Sequence, residues 1–274
     1  MRKRADTCEL RAFDLGHGQL EAVCTHQTYL QELDWTLDQM QDHLDMVAAD
    51  KEDRAEEIHE ANLLRSARRA KSEVRRLCKA LGADILLTLT YRQNQQDREL
   101  CKKHVKEFAR RMRKALGGEF RAIAGFERQK RGAYHVHLAT VRLPFWMSRK
   151  DGVVVRSYDL IRSIWRSVTK EWGGNIDVQR RKRYAHKSPA AIAAYIAFYI
   201  TKEFLDGKRW SNRYASYGDV NAPAPLLMGI YPCMYAALLD AFALVLDHQM
   251  VKDAFLHRFQ DFFFLTAESK NRQR

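Results

Sequence analysis

The chain has 274 residues, 46% of them hydrophobic, which is enough for a sizeable core and excludes a disordered protein. Its net charge of +13 points to an acidic partner, most simply nucleic acid; residues 1–60 hold 6 Lys and Arg against 15 Asp and Glu, and the rest holds 41 against 19. Five scattered cysteines (Cys8, Cys24, Cys78, Cys101, Cys233) without CxxC spacing exclude a zinc ribbon and a disulfide framework; with no secretory or membrane-spanning stretch, they predict a cytoplasmic protein without a membrane partner.

Residues 1 to about 20, with Gly16 and Gly18 and no clear period, read as an irregular arm. Leu30, Leu33, Leu37, Met40, Leu44 and Val47 recur at steps of three and four, which predicts a helix over Thr28 to Val47. Lys51 to about Ala80 reads as a second helix, acidic at first and then basic, and the two are expected to form an N-terminal helical hairpin.

Asp84 to Tyr91 has the β-branched and apolar content of a strand. A helix follows over Asp97 to Leu116, ended by Gly117-Gly118, with His104 on its apolar side as a core histidine. Phe120 to Arg128 and Ala133 to Leu143 read as two strands joined by a short basic turn ending at Gly132. Ser157 to Trp172 is a helix and Ile176 to Arg183 a strand. Ser188 and Pro189 then open a helix that runs to about residue 205. Trp210 to Pro225 reads as a loop, and Pro232 to Leu246 and Val251 to Leu265 as two C-terminal helices. This order predicts an α+β layer structure, a mixed sheet with helices on one face. The expected divisions are a helical arm at 1–80, a central domain at 81–220 and a helical extension at 221–274.

Within the second strand of the central hairpin stands His135-Val-His137. A period of two sends both imidazoles to one face and Tyr134, Val136 and Leu138 to the other. With the turn centred on Lys130 to Gly132, Glu127 falls opposite His135, with Cβ atoms about 5 Å apart. Two imidazoles and a carboxylate can hold a divalent ion with positions left open, and ligand type alone leaves Mg²⁺, Mn²⁺ and Zn²⁺ open.

On the later helix, Tyr195, Tyr199 and Lys202 stand at i, i+4 and i+7, so two phenols and an ammonium share one face. Ile192, Ile196 and Ile200 form an adjoining stripe for a core. Flanking segments interleave cations with aromatics: Arg180, Arg181, Lys182, Arg183 and Tyr184 before the helix, and Lys208, Arg209, Trp210, Arg213 and Tyr214 after it. Such a pattern suits single-stranded DNA, the cations on phosphates and the rings on unpaired bases.

Leu86-Leu-Thr-Leu-Thr90, His135-Val-His137 with Glu127 upstream, and Tyr195-x-x-x-Tyr199-x-x-Lys202 stand in the order found in HUH endonucleases of the rolling-circle replication initiator type. The chain resembles the two-tyrosine subgroup, which includes phage gene A replication proteins and some transposases. The resemblance spans residues 84 to about 217. It implies a five-stranded antiparallel sheet with the tyrosine helix laid against the metal face. It also implies a metal held by Glu127, His135 and His137, and cleavage of single-stranded origin DNA, in a hairpin or not, to a 5′-phosphotyrosine and a free 3′-hydroxyl. Phe198 departs from the pattern where many members carry lysine, so only Tyr199 has a complete Tyr-x-x-Lys and is the expected first nucleophile. No GxxxxGK[ST] motif is present, so a host helicase, along with a polymerase, is the expected partner. The competing readings are a two-tyrosine transposase or relaxase, a non-catalytic DNA-binding regulator on the same fold, and a zinc hydrolase.

Overall fold

A computed structural model describes residues 4–30, 36–149, 151–180, 192–196, 198, 214–245, 249–257 and 261–269. The chain divides into two compact units, one of residues 63–222 and one of residues 1–62 with 223–274. Among the described residues no helix is long and apolar enough to cross a membrane.

The unit of residues 63–222 is built on an antiparallel sheet of five strands: β3 (Ile85–Tyr91), β4 (Ala122–Arg128), β5 (Tyr134–Thr140), β8 (Gly174–Arg180) and β9 (Tyr214–Tyr217). Their order is β8-β3-β5-β4-β9, which places the histidine strand at the centre. A tight turn through Gly132, at φ 91°, joins β4 to β5 as expected. Two short strands, β6 (Trp146–Ser148) and β7 (Val154–Arg156), form a separate ribbon.

One face of the sheet is packed by α3 (Arg98–Ala115) and α4 (Ser157–Thr169). Asp97 caps α3 by accepting from the N–H groups of Glu99 and Leu100, at 2.9 and 3.2 Å. The helix ends in a Schellman turn, where Gly118 donates to the Arg113 carbonyl and Gly117 and Gly118 take the left-handed conformations that glycine tolerates. Val105, Phe108 and Met112 of α3 meet Leu87, Leu89, Val136 and Leu138 of the sheet, each buried side chain worth about 2 kcal/mol. Trp165 of α4 is fully buried, and its indole N–H donates to the Thr90 carbonyl at 2.9 Å.

The other face is not bare. Val74, Leu77 and Cys78 of α2 (Ala55–Ala80) and Ala193 and Ile196 of a short helical segment, α5 (residues 192–196), pack on Leu86, Ile123 and Ala139. The layer of helices expected on one face is α3 and α4; the opposite face carries these two in addition. The expectation of a loop over Trp210 to Pro225 is corrected in part, because its Tyr214–Tyr217 stretch is the fifth strand, paired with β4. Four residues are too few to show a period.

In the other unit, β1 (Arg4–Asp14), β2 (Gln19–Leu30), β10 (Leu226–Tyr231), β11 (Gln249–Leu256) and β12 (Phe262–Ser269) form an antiparallel sheet in the order β10-β1-β2-β12-β11. α6 (Met234–Ala243) packs Ala237 and Ala241 onto Leu10, Cys24, Phe263 and Leu265. This corrects two expectations. Residues 4–30 are a hairpin and not an irregular arm or part of a wholly helical one, turning through Gly16, His17 and Gly18 at positive φ. The helix expected over Val251 to Leu265 is two strands, whose phenylalanines lie at helix-like intervals only because a turn separates them.

The expected N-terminal helical hairpin also differs. α1 (Leu37–Asp53) starts at a capping box between Thr36 and Gln39. Only Arg54 separates it from α2, and Arg54 keeps helical hydrogen bonds on both sides, to Asp50 and from Ile58. One residue so bonded leaves no loop in which the chain can fold back.

Candidate active site

β5 alternates strictly. Tyr134, Val136 and Leu138 enter the core beneath α3 and α4, so His135 and His137 lie on the face that carries α5. Across the sheet His137 pairs with Thr88 on β3 and Gly125 on β4, and His135 with Thr90 and Glu127. The expected register of Glu127 opposite His135 is therefore present. Gly125 offers no side chain opposite His137, and the Glu127 carboxylate reaches diagonally to His137 Nε2 at 3.0 Å.

His137 is held at both ring nitrogens, since the Thr88 hydroxyl lies 3.2 Å from Nδ1. A carboxylate only accepts, so in the bond to Glu127 the donor is Nε2; a divalent ion taking the Nε2 lone pair would replace that bond and leave an Nδ1–H to donate to the Thr88 hydroxyl. Thr88 went unassigned in the sequence, although its alternation with Leu87 and Leu89 was the available signal. His135 is half-buried, and burial first, then His137 and Arg131, push its pKa down to about 4 against the opposing pull of Glu127. At neutral pH its imidazole is uncharged and keeps a lone pair for a ligand.

α5 reaches this face through its own apolar side. Ala193 and Ile196 are fully buried, Ile192 packs beside them, and Tyr195 is 40% exposed. The Tyr195 ring stands edge-on to His137, with centroids 5.7 Å apart and planes at 90°. Thus Glu127, His135, His137 and Tyr195 share one side of the sheet; the alternation on β5 predicts this for the two imidazoles, and the resemblance implied it for the tyrosine helix.

Tyr199, Lys202, Ile200, Arg181, Lys182, Arg183, Tyr184, Lys208, Arg209, Trp210 and Arg213 lie outside the described residues. Arg180 ends β8, opposite Ile85. Tyr214 pairs with Gly125 in the row that contains His137, and it is partly buried against the core beneath α2. Burial, aided by Glu73, raises its pKa above the ordinary phenol value.

Among the described residues no three His, Cys, Asp or Glu side chains already converge as a metal cage. The donor set nonetheless suits a divalent ion. Glu127 Oε2 and His137 Nε2 lie 3.0 Å apart. That is about the spacing of two neighbouring donors with bonds of about 2.1 Å to one ion, and His135 stands next to them on the same strand.

Residues 84–204 match the family model for replication-associated protein ORF2. This stretch contains the first strand motif, the histidine pair and both tyrosines, and is similar to replication-associated proteins of that family. Comparisons with curated proteins and with solved structures gave no match.

Proposed function

We propose that this chain is a replication initiation protein that nicks single-stranded DNA at an origin through a tyrosine nucleophile, with a divalent ion held by Glu127, His135 and His137. The observation that carries the reading is the Tyr195 ring edge-on to His137 at 5.7 Å, a phenol-bearing helix seated beside a pair of imidazoles and a carboxylate. The family match over residues 84–204 supports the replication role.

A phenol with a pKa near 10 is mostly protonated at neutral pH and needs help to attack a phosphodiester. The ion would supply a positive centre for the scissile phosphate oxygens and offset the charge that grows on them. Mg²⁺ or Mn²⁺ would be held chiefly by the Glu127 carboxylate and the phosphate oxygens, and the two imidazoles make Zn²⁺ the alternative. Thr88 fixes the His137 ring, and the buried Ala193 and Ile196 anchor the helical segment that carries Tyr195. Lys202 would place an ammonium near the Tyr199 phenol and favour its ionised form.

In the reaction the phenol gives up its proton as its oxygen bonds to phosphorus, the bond from phosphorus to the 3′ oxygen breaks, and the departing oxygen takes a proton, so the protons balance. The products are a 5′-phosphotyrosine and a 3′-hydroxyl primer for a host polymerase, and a host helicase would open the duplex ahead. The phosphodiester is conserved as the tyrosyl ester, so a DNA 3′-hydroxyl can reverse the step without a nucleotide cofactor. Tyr199 is assigned the first attack and Tyr195 the second.

The test is a denaturing gel of the protein with labelled single-stranded origin DNA and Mn²⁺. A covalent adduct that disappears in chelator is expected. Binding without any adduct under every divalent ion would leave a non-catalytic DNA-binding regulator in its place.

A further inference from the structure

On the side of the sheet away from the histidines lies a cleft of about 420 Å³ between α3 and the edge strand β9. Lys103, Lys106, Arg110 and Arg113 line it at steps of three, four and three, which is one stripe along α3. Phe120 and Tyr217 form its apolar wall, and both pack on the core beneath α3.

The charges are not balanced from within. Glu107, also at the cleft, accepts two bonds from Arg110 and one from Arg111, all at 2.7 Å. These bonds hold its carboxyl at about 2, so it stays ionised and neutralises its neighbours. Among the described residues Lys103, Lys106 and Arg113 have no ion-pair partner, and all three are exposed. Three uncompensated cations beside the partly exposed Tyr217 ring, with buried Phe120 beneath as the floor, match a phosphate backbone with a base laid on that ring.

β9 connects the two sides. Tyr214 pairs with Gly125 on the histidine row, and Tyr217, three residues on, pairs with Ala122 and faces the cleft. Tyr214 and Tyr217 thus stand on opposite faces of the one edge strand that borders the cleft.

We propose that the α3–β9 cleft is a second binding site for single-stranded DNA, taking the strand that flanks the cleavage site. The site rests on the nicking reading for its ligand, and its residues are separate from those that carry the chemistry.

The test uses the full chain, with an oligonucleotide of about 8 nucleotides around the nick and one of about 30. The variant is Lys106→Glu with Arg113→Glu, and Lys106→Arg with Arg113→Lys is the charge-conserving control. The charge-reversed variant should bind the long oligonucleotide at least about tenfold more weakly, with a slope of log affinity against log salt reduced by about 1.4, two phosphates' share. Adduct formation on the short oligonucleotide should be unchanged, and the control should bind both as the wild type does. An unchanged affinity and salt slope for the long oligonucleotide, with adduct formation intact, would overturn the cleft and leave the nicking reading standing. Loss of long-strand binding by the variant, with no adduct formed by the wild type, would support the cleft and overturn the nicking reading.

Discussion

Tyr195 meets His137 edge to face, with ring centroids 5.7 Å apart and planes perpendicular. Both residues are set by packing on one sheet face: His137 by the alternation of β5, and Tyr195 by the burial of Ala193 and Ile196 on the same helical segment.

Replacing the two phenols one at a time should separate their roles. Tyr199→Phe should abolish the covalent adduct on an oligonucleotide with a single nick site. Tyr195→Phe should retain that first adduct and lose transfer of a second strand. Denaturing gels and peptide mapping of the modified tyrosine check this; a wild-type adduct level in Tyr199→Phe would move the first attack to Tyr195.

Thr88 holds His137 through Nδ1, so Thr88→Val should weaken activation by Mn²⁺ about 10- to 100-fold while activity at saturating ion is largely restored. The fold should lose only about 1 kcal/mol with the hydroxyl. Glu127→Gln, which removes the charge beside His137 Nε2, should weaken activation further and resist rescue by added ion. Titration of cleavage against Mn²⁺ reads both, and an unaltered midpoint in both variants would dismiss the metal assignment.

The stability of the fold should carry a mark from His104. The Tyr91 hydroxyl lies 3.1 Å from its Nδ1, and burial holds the His104 pKa below the ordinary histidine value. In the window below the unfolded value near 6.5 the unfolded chain then binds more protons than the native one, so this contribution is present above the window and lost as pH falls through it. Urea unfolding at about pH 7.5 and about pH 5.5 should show a smaller acid loss in His104→Gln than in the wild type. Equal losses in the two would assign the acid sensitivity to other groups.

Gly174 is a packing requirement at the start of β8. A Cβ there would lie 2.6 Å from Trp165 Nε1 and 3.0 Å from the Thr90 carbonyl oxygen, on either side of their hydrogen bond. Gly174→Ala should therefore lower the urea midpoint by an amount equivalent to about 1–3 kcal/mol. A midpoint at the wild-type value would show that the indole shifts without cost.

The central unit was legible because its signals are local. The Asp97 start and the Gly117-Gly118 stop of α3 and the Gly132 turn each act within a few residues, and the turn alone sufficed to place Glu127 opposite His135. The other unit was misread because its evidence is distant in the chain. β2 is completed by β12, more than two hundred residues on, and no local pattern announces such a pairing. The alternation of Cys8, Leu10 and Ala12 with Glu9 and Arg11 was a usable strand signal that the Gly16 and Gly18 turn obscured. In the 251–265 region, Phe255, Phe262 and Phe263 imitate a helical stripe across a turn. Within the site, the register sets Glu127 opposite His135 and Gly125, on the same strand, opposite His137; that the carboxylate then leans diagonally to His137 is a matter of its rotamer, which no period encodes.

The strict alternation of β5 places an arithmetic condition on how this strand can vary. Inserting or deleting a single residue between Tyr134 and Thr140 would turn His137 into the packed interior and push a valine or leucine to the reactive side, damaging both at once. Changes of two residues keep the parity of the strand. Length variation here should therefore be found in even steps or confined to the turn at Gly132.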